Sequence, residues 1–376
     1  MPPLDESILA DTAAPAADAG TPPTATRPRR LIPLLRFGLA AAALFALTRL
    51  IHPADIAHAK ALVARVGWPL ALVLLPTLFT MAMDAAGWRL ILAVLGRPVP
   101  WRRMLELRLS VEAVGLALPG GSVAAEAIKL ALLDRRLGVP IAPGGASLAL
   151  GKAYLIGAEA IYLAVAAVWL LLGRGTETGQ TSAAAGPALA AAGGALVTTL
   201  ISGTLLIALR QATWVSRIAR ALMALPSAPL RRWIESRQSG IRALEGAARE
   251  FFRASFARRL RCFIPFLFEW VAEAVETWLI LRCLAVPLGL GGILGLDAIG
   301  SLLRALVFFL PAGLGVQDAA QVLVLSALGV PDAVAVGAAF IFVKRSKEIF
   351  WIAAGALFLA VRRDLWQRTA DQRPVV

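Results

Sequence analysis

The chain has 376 residues, of which 59% are hydrophobic and only 16% charged, and its mean hydropathy is +0.73. An ordinary soluble domain is about 45–50% apolar and about 25% charged, so a water-soluble globular fold is excluded. The net charge of +14 does not indicate nucleic acid: the basic residues lie between apolar stretches, where they orient helices in a bilayer, and no aromatic platform or reading motif accompanies them.

Residues 1–30 are rich in Ala, Pro, Thr and Asp and read as a disordered tail. Arg27, Arg29 and Arg30 come only at its end, the wrong place for a signal peptide, and they hold this end in the cytoplasm. A first membrane half follows over 31–209, a basic loop over 210–261, a second membrane half over 262–361 and a cytoplasmic tail over 362–376. A spanning helix needs about 20 apolar residues, and six segments meet or approach that length: 34–51, 68–95, 143–172, 185–209, 262–285 and 334–361. His52 and His58 share a short loop without a partner, and Cys262 and Cys283 fall within one expected helix. No metal site, disulfide framework, triad or cofactor is expected from them.

Two further apolar regions, 105–133 and 296–327, are broken in the middle by Leu118-Pro119-Gly120-Gly121 and Leu310-Pro311-Ala312-Gly313. Proline removes a backbone donor and glycine relaxes the dihedrals. Each arm of about 14 residues makes roughly 21 Å of helix, short of a hydrocarbon core of about 30 Å. Each region is therefore read as a re-entrant hairpin. The fold expected is an all-α polytopic membrane protein with six spanning helices and two re-entrant hairpins. With both hairpins returning to their own side, Arg97, Arg102, Arg103, Arg135, Arg136 and the loop 210–261 all face the cytoplasm. That loop holds twelve Arg against Glu235, Glu245 and Glu250. The positive-inside rule is satisfied, and both termini are cytoplasmic at the inner membrane.

The two hairpins are copies. Pro119 matches Pro311, Gly121 matches Gly313, Glu126 matches Asp318 and Lys152 matches Lys344, all at an offset of 192 residues. Leu137-Gly138-Val139-Pro140 and Leu328-Gly329-Val330-Pro331 close the two hairpins after a one-residue gap. By the parity of the intervening spans the copies are inverted, as in many secondary transporters, whose broken helices meet near the midplane. Irregular backbone at that depth is tolerated only inside protein or beside a water-filled cavity, so a cavity is implied.

Ionisable residues are unexpectedly frequent in the apolar segments. The first hairpin carries Glu106, Arg108, Glu112, Glu126 and Lys129. The next helix carries Lys152 and Glu159 on one face, and the fifth span carries Glu269, Glu273 and Glu276 as an acidic stripe. The second hairpin adds Asp297, Arg304 and Asp318, and the last span adds Lys344, Arg345, Lys347 and Glu348. The plainer reading is structural pairing between helices, with Glu348 neutralising Lys344, and Glu106 and Asp297 sitting at the interface. The functional reading gains weight at the helix breaks. There, unpaired amides at a half-helix start can receive an anion, and Lys129, Lys152, Arg304, Lys344 and Arg345 can neutralise it. A lipid phosphate suits such a site. Asp84 is assigned no role. In 210–261, Ile234, Ile241, Leu244 and Phe251 are spaced for one helix face among arginines, which predicts an interfacial amphipathic helix pair resting on anionic lipid.

These residues resemble a known family. Phe308-Phe309-Leu310-Pro311-Ala312-Gly313-Leu314-Gly315-Val316-Gln317-Asp318-Ala319-Ala320 is similar to the second signature of the lysylphosphatidylglycerol synthase transmembrane-region, flippase-like family, and Leu118-Pro119 through Glu126 to Lys129 resembles its first. Ala125, Lys129 and Asp318 stand where the family has Gly, Arg and Glu. The resemblance covers the chain from about residue 34. It implies the membrane part alone, without lysyl transfer, since full synthases carry a soluble aminoacyl-transfer domain after the membrane region. The leading expectation is a non-enzymatic flippase or transporter for a phosphate-bearing lipid or polyprenyl carrier, with anionic membrane lipids as its partners. The alternative is a non-catalytic scaffold for envelope-lipid synthesis, docking synthetic enzymes or a second copy through the basic loop.

Overall fold

A computed structural model describes residues 53–117, 121–172, 181–211, 213–224, 227–306 and 316–361. Among them are thirteen α-helices, one 3-10 turn and no strand. In chain order these are α1 (Pro53–Val66), the 3-10 turn Trp68–Val73, α2 (Leu74–Val94), α3 (Trp101–Ala117), α4 (Gly121–Leu137), α5 (Ile141–Leu171) and α6 (Thr181–Gln211). There follow α7 (Trp214–Met223), α8 (Ala228–Glu235), α9 (Gln238–Arg253), α10 (Phe256–Cys283), α11 (Leu290–Leu306), α12 (Val316–Ala327) and α13 (Ala333–Val361). The expected segment 34–51 lies outside the described residues.

The chain is an all-α polytopic membrane protein. Three stretches, Trp68–Val94, Ile141–Leu171 and Ala188–Gln211, are long and apolar enough to cross a bilayer on their own. They leave large side chains bare: Val165, Val168 and Leu171 on α5, and Leu189, Leu196, Leu200 and Ile207 on α6, are all exposed. So much uncovered aliphatic surface is tolerated against lipid and not against water. The helices α10 and α13 have 28 and 29 residues, also ample length, but they carry charges along them, of which Glu276 and Lys347 are covered by the surrounding helices.

The second half repeats the element order of the first. The series α2–α3–α4–α5 has 21, 17, 17 and 31 residues, and α10–α11–α12–α13 has 28, 17, 12 and 29. The helices α3 and α4 pack on each other, as do α11 and α12, so each pair folds back on itself; residues 118–120 and 307–315 between them lie outside the described residues. The turns closing the hairpins also match. Gly138 and Gly329 take φ of 63° and 70°, the left-handed region that costs a side-chain-bearing residue about 1–2 kcal/mol. The next residue then hydrogen-bonds back into the helix, Val139 N to Leu133 O and Val330 N to Leu325 O, both at 3.1 Å.

Taking α2 as a ruler shows which way each hairpin opens. At its first end, Val73 belongs to an apolar cluster with Leu284, Val286, Ile293, Leu325, Val330 and Ala333, which gathers the entry to α11 and the exit of α12. At its last turn, Leu92 belongs to a cluster with Val99, Met104, Leu132, Leu133 and Val139, the entry to α3 and the exit of α4. The two mouths therefore lie at opposite ends of α2. The arms of each hairpin pack on each other, and α3 also packs on α13 and α11 on α5. A Cβ on Gly355 of α13 would sit 3.1 Å from Ala113 Cβ and 3.2 Å from both Ala113 N and Leu109 O of α3. Backbone cannot yield as a side chain can. Gly355→Val is expected to lower the thermal midpoint in detergent, by a loss of about 1–3 kcal/mol, while Gly203→Val, which meets nothing within 4 Å, leaves it unchanged.

The basic segment differs from expectation. It forms three helices rather than a pair, and its apolar face is not free for lipid. Leu244, Ala248 and Phe251 of α9 pack with Tyr154, Leu209, Cys262 and Phe266, and Phe251 is fully buried. The helix is a fixed cap over the ends of α5, α6 and α10. Burying aromatic and aliphatic surface against protein removes it from contact with either solvent. An amphipathic face is left bare on α7, where Ile218 and Leu222 are exposed beside exposed Arg217 and Arg220.

Candidate functional site

The ionisable residues of the membrane helices gather into two networks, one per hairpin. In the first, Arg108 of α3 donates to Asp84 of α2 at 2.6 Å and also to Glu112 one turn along α3. Lys129 of α4 lies 3.6 Å from Asp84 and 3.2 Å from Glu126, with its ammonium 5.6 Å from the Trp88 ring centroid. Lys152 of α5 reaches the same Glu126 oxygen at 2.9 Å. Trp88 is itself fixed by donating to Ser147 at 2.9 Å. Spacings of three and four residues place Glu126 with Lys129, and Arg108 with Glu112, on shared helix faces. The Lys152 side chain remains 45% exposed, against 7% for Lys129. It is the reachable cation of the group.

In the second network, Arg345 of α13 bridges Asp318 of α12 and Glu348, both at 2.6 Å. Glu276 of α10 accepts from Thr77 of α2 at 2.8 Å and from Lys347 of α13. Glu276 and Lys347 are 6% and 13% exposed along their side chains, so this is a buried ion pair. Lys344 makes no salt bridge among the described residues. Its ammonium sits 5.4 Å from the Phe340 ring centroid, a cation–π contact.

The expected site residues thus divide. Glu126, Lys129 and Lys152 come together, and so do Asp318, Arg345 and Glu348, as two separate clusters. Glu159 shares a face of α5 with Lys152, yet it takes a hydrogen bond from Ser301 of α11. The helix α5 therefore engages one hairpin with each residue. Glu348 neutralises Arg345 and not Lys344, because the three-residue spacing aligns it with Arg345. Asp297 is enclosed by protein. It lies well inside α11, is 8% exposed, and accepts from Thr277 at 2.6 Å and Tyr162 at 3.2 Å. The acidic stripe on α10 splits, with Glu276 turned to α2 and α13. Gly121 opens α4, and Arg304 is on α11. Pro119, Pro311 and Gly313 fall outside the described residues.

Sequence reasoning passed over Asp84, which holds both cations of the first hairpin. The signal was present: Asp84 and Glu276 stand at the same offset of 192 residues that joins Lys152 to Lys344. Both acids lie on the helix before their hairpin, and both form an ion pair with a lysine. Among the described residues no group of three His, Cys, Asp or Glu side chains converges to hold a metal ion.

A family model described as the lysylphosphatidylglycerol synthase TM region matches residues 34–343. No curated protein matches the chain.

Proposed function

Since the chain belongs to the lysylphosphatidylglycerol synthase TM-region family, a family of membrane proteins in lipid-related processes, we propose that it moves a phosphate-bearing lipid or polyprenyl-linked carrier across the inner membrane. The observation that carries this reading is the equivalent pair Lys152 and Lys344. Each stands on the helix that follows a broken hairpin, one with nearly half its side chain accessible and the other without a carboxylate partner among the described residues. Lys152 shares its Glu126 oxygen with Lys129, while Arg108, Arg345 and Lys347 each hold an acid of their own. An ammonium is a compact charge that can leave one oxygen for another, which suits a phosphate that must be bound and then released. The opposed mouths of the hairpins supply an approach from either side of the bilayer, in the manner of inverted-repeat transporters. No covalent step is required.

The test is fluorescent phosphatidylglycerol movement in reconstituted vesicles. Lys152→Gln with Lys344→Gln is expected to reduce it to the protein-free level, and Lys152→Arg with Lys344→Arg to retain it. Undiminished movement in the double glutamine variant would refute the assignment. One observation favours a second reading, a scaffold for envelope-lipid synthesis: α7 and α8 present exposed Arg217, Arg220, Arg231 and Arg232. Removing these four charges should spare lipid movement if the protein is a translocator.

A further inference from the structure

The cations of the first network are all matched to acids: Arg108 to Asp84 and Glu112, Lys129 to Asp84 and Glu126, Lys152 to Glu126. Glu269 of α10 stands beside them without joining them. The charges acting on it are Asp84 from α2, Arg108 from α3, Lys152 from α5 and its own neighbour Glu273. Yet among the described residues it forms no salt bridge and accepts no hydrogen bond, and its Oε2 is buried. It is the surplus carboxyl.

A second surplus carboxyl meets the same helix from α11, where Thr277 donates to it. Asp297 is bound only by neutral hydroxyls, Thr277 of α10 at 2.6 Å and Tyr162 of α5 at 3.2 Å, and forms no salt bridge among the described residues. Lys344 of α13 and Glu273 are the charges acting on it. Residues 269, 273 and 277 recur every fourth position, so Glu269, Glu273 and Thr277 share one face of α10 over about 12 Å. Glu273 is the middle member of that face. Glu276 takes no part, being turned to Lys347.

A buried acid with no salt bridge among the described residues is stabilised by a neutralising species. A metal ion is disfavoured by the donor set, since among the described residues no three ligating side chains converge. A lipid amine is disfavoured at Asp297, which is 8% exposed and has an oxygen occupied by each hydroxyl donor. A proton fits both places. We propose that Glu269 and Asp297 are proton-carrying carboxyls, linked through Glu273 along α10, and that they couple lipid movement to the proton gradient. Each transfer breaks one O–H bond as it forms another. Water at the two membrane faces supplies and receives the proton, and the lipid is chemically unchanged. The coupling half rests on the translocation reading; the proton-carrying half does not.

The experiment has two arms on full-length protein in phosphatidylglycerol vesicles. Infrared difference spectra between acid and alkaline pH should show protonated-carboxyl bands, one lost in Glu269→Gln and another in Asp297→Asn. In the same vesicles an imposed pH gradient should accelerate fluorescent phosphatidylglycerol movement. Glu269→Gln should lose the acceleration while keeping the gradient-free rate, since among the described residues it holds no partner that the change would release. Bands unchanged in both variants would overturn the proposal. Wild-type movement indifferent to the gradient would overturn the coupling and leave translocation standing. Carboxyl bands lost as expected in a protein that moves no lipid would support the proton-carrying pair and refute the translocation reading instead.

Discussion

Arg108→Ala should remove about 3–5 kcal/mol of stability, the range for breaking a buried ion pair by deleting one partner. The guanidinium is the sole link between Glu112 and Asp84, and all three side chains are only 16–17% exposed. Without it Asp84 keeps Lys129 at the longer distance of 3.6 Å, and Glu112 is left facing a low-dielectric interior. Arg108→Lys should recover only part of the loss, because an ammonium cannot supply the planar fork that serves two carboxylates at once. Arg103→Ala is the contrast. Its pair with Glu106 is 51% and 26% exposed, and such surface pairs contribute about 0–1 kcal/mol. The thermal midpoint in detergent should therefore fall sharply for Arg108→Ala and hardly at all for Arg103→Ala. Equal shifts would mean that the first network is as wet as the surface. Adding Glu112→Gln to Arg108→Ala should restore part of the stability, and the coupling energy from the double-mutant cycle would measure the pair.

Lys347→Ala should cause a loss of the same order, about 3–5 kcal/mol, in the other half of the molecule. Glu276 is 6% exposed along its side chain and would retain only the Thr77 hydroxyl at 2.8 Å. The pair ties α10 to α13, and Thr77 ties both to α2, so three helices lose a shared anchor. Glu276→Gln in the Lys347→Ala background should relieve the penalty, since an amide can be buried with far less loss than a carboxylate. Should Lys347→Ala alone leave the midpoint unaltered, the ion pair would be solvated and the helices held by apolar packing alone.

The order of membrane helices was readable because each apolar run is long and each break is marked by proline and glycine. The repeat was readable because matched prolines, glycines and charges stand out from a background of Leu and Ala. Partner choice was not. Glu348 has two cations within reach on its own helix, and only the rotation of α13 against α12 selects Arg345. The acids on α10 form one stripe in the sequence, yet tertiary packing sends Glu276 to α13 and leaves Glu269 alone. The apolar face of α9 has the periodicity of a lipid-bound helix, which is also that of any helix packed on protein. Nothing in the segment itself distinguishes the two surroundings. Asp297 looks interfacial by its distance from a helix end, but α11 is enclosed by α5, α6, α10 and α12, so even its early turns are buried.

Everything functional in this account depends on the two hairpins opening to opposite faces of the bilayer. The direct measurement is labelling of single cysteines with a membrane-impermeant thiol reagent in right-side-out and inside-out vesicles. Arg135→Cys and Asp332→Cys, at exposed positions by the two mouths, would each be placed in a background with Cys262 and Cys283 replaced by Ala. Arg135→Cys should react only from the cytoplasmic face and Asp332→Cys only from the opposite one. Reaction of both from the same face would contradict the inverted arrangement, and the proposed path for lipid would go with it.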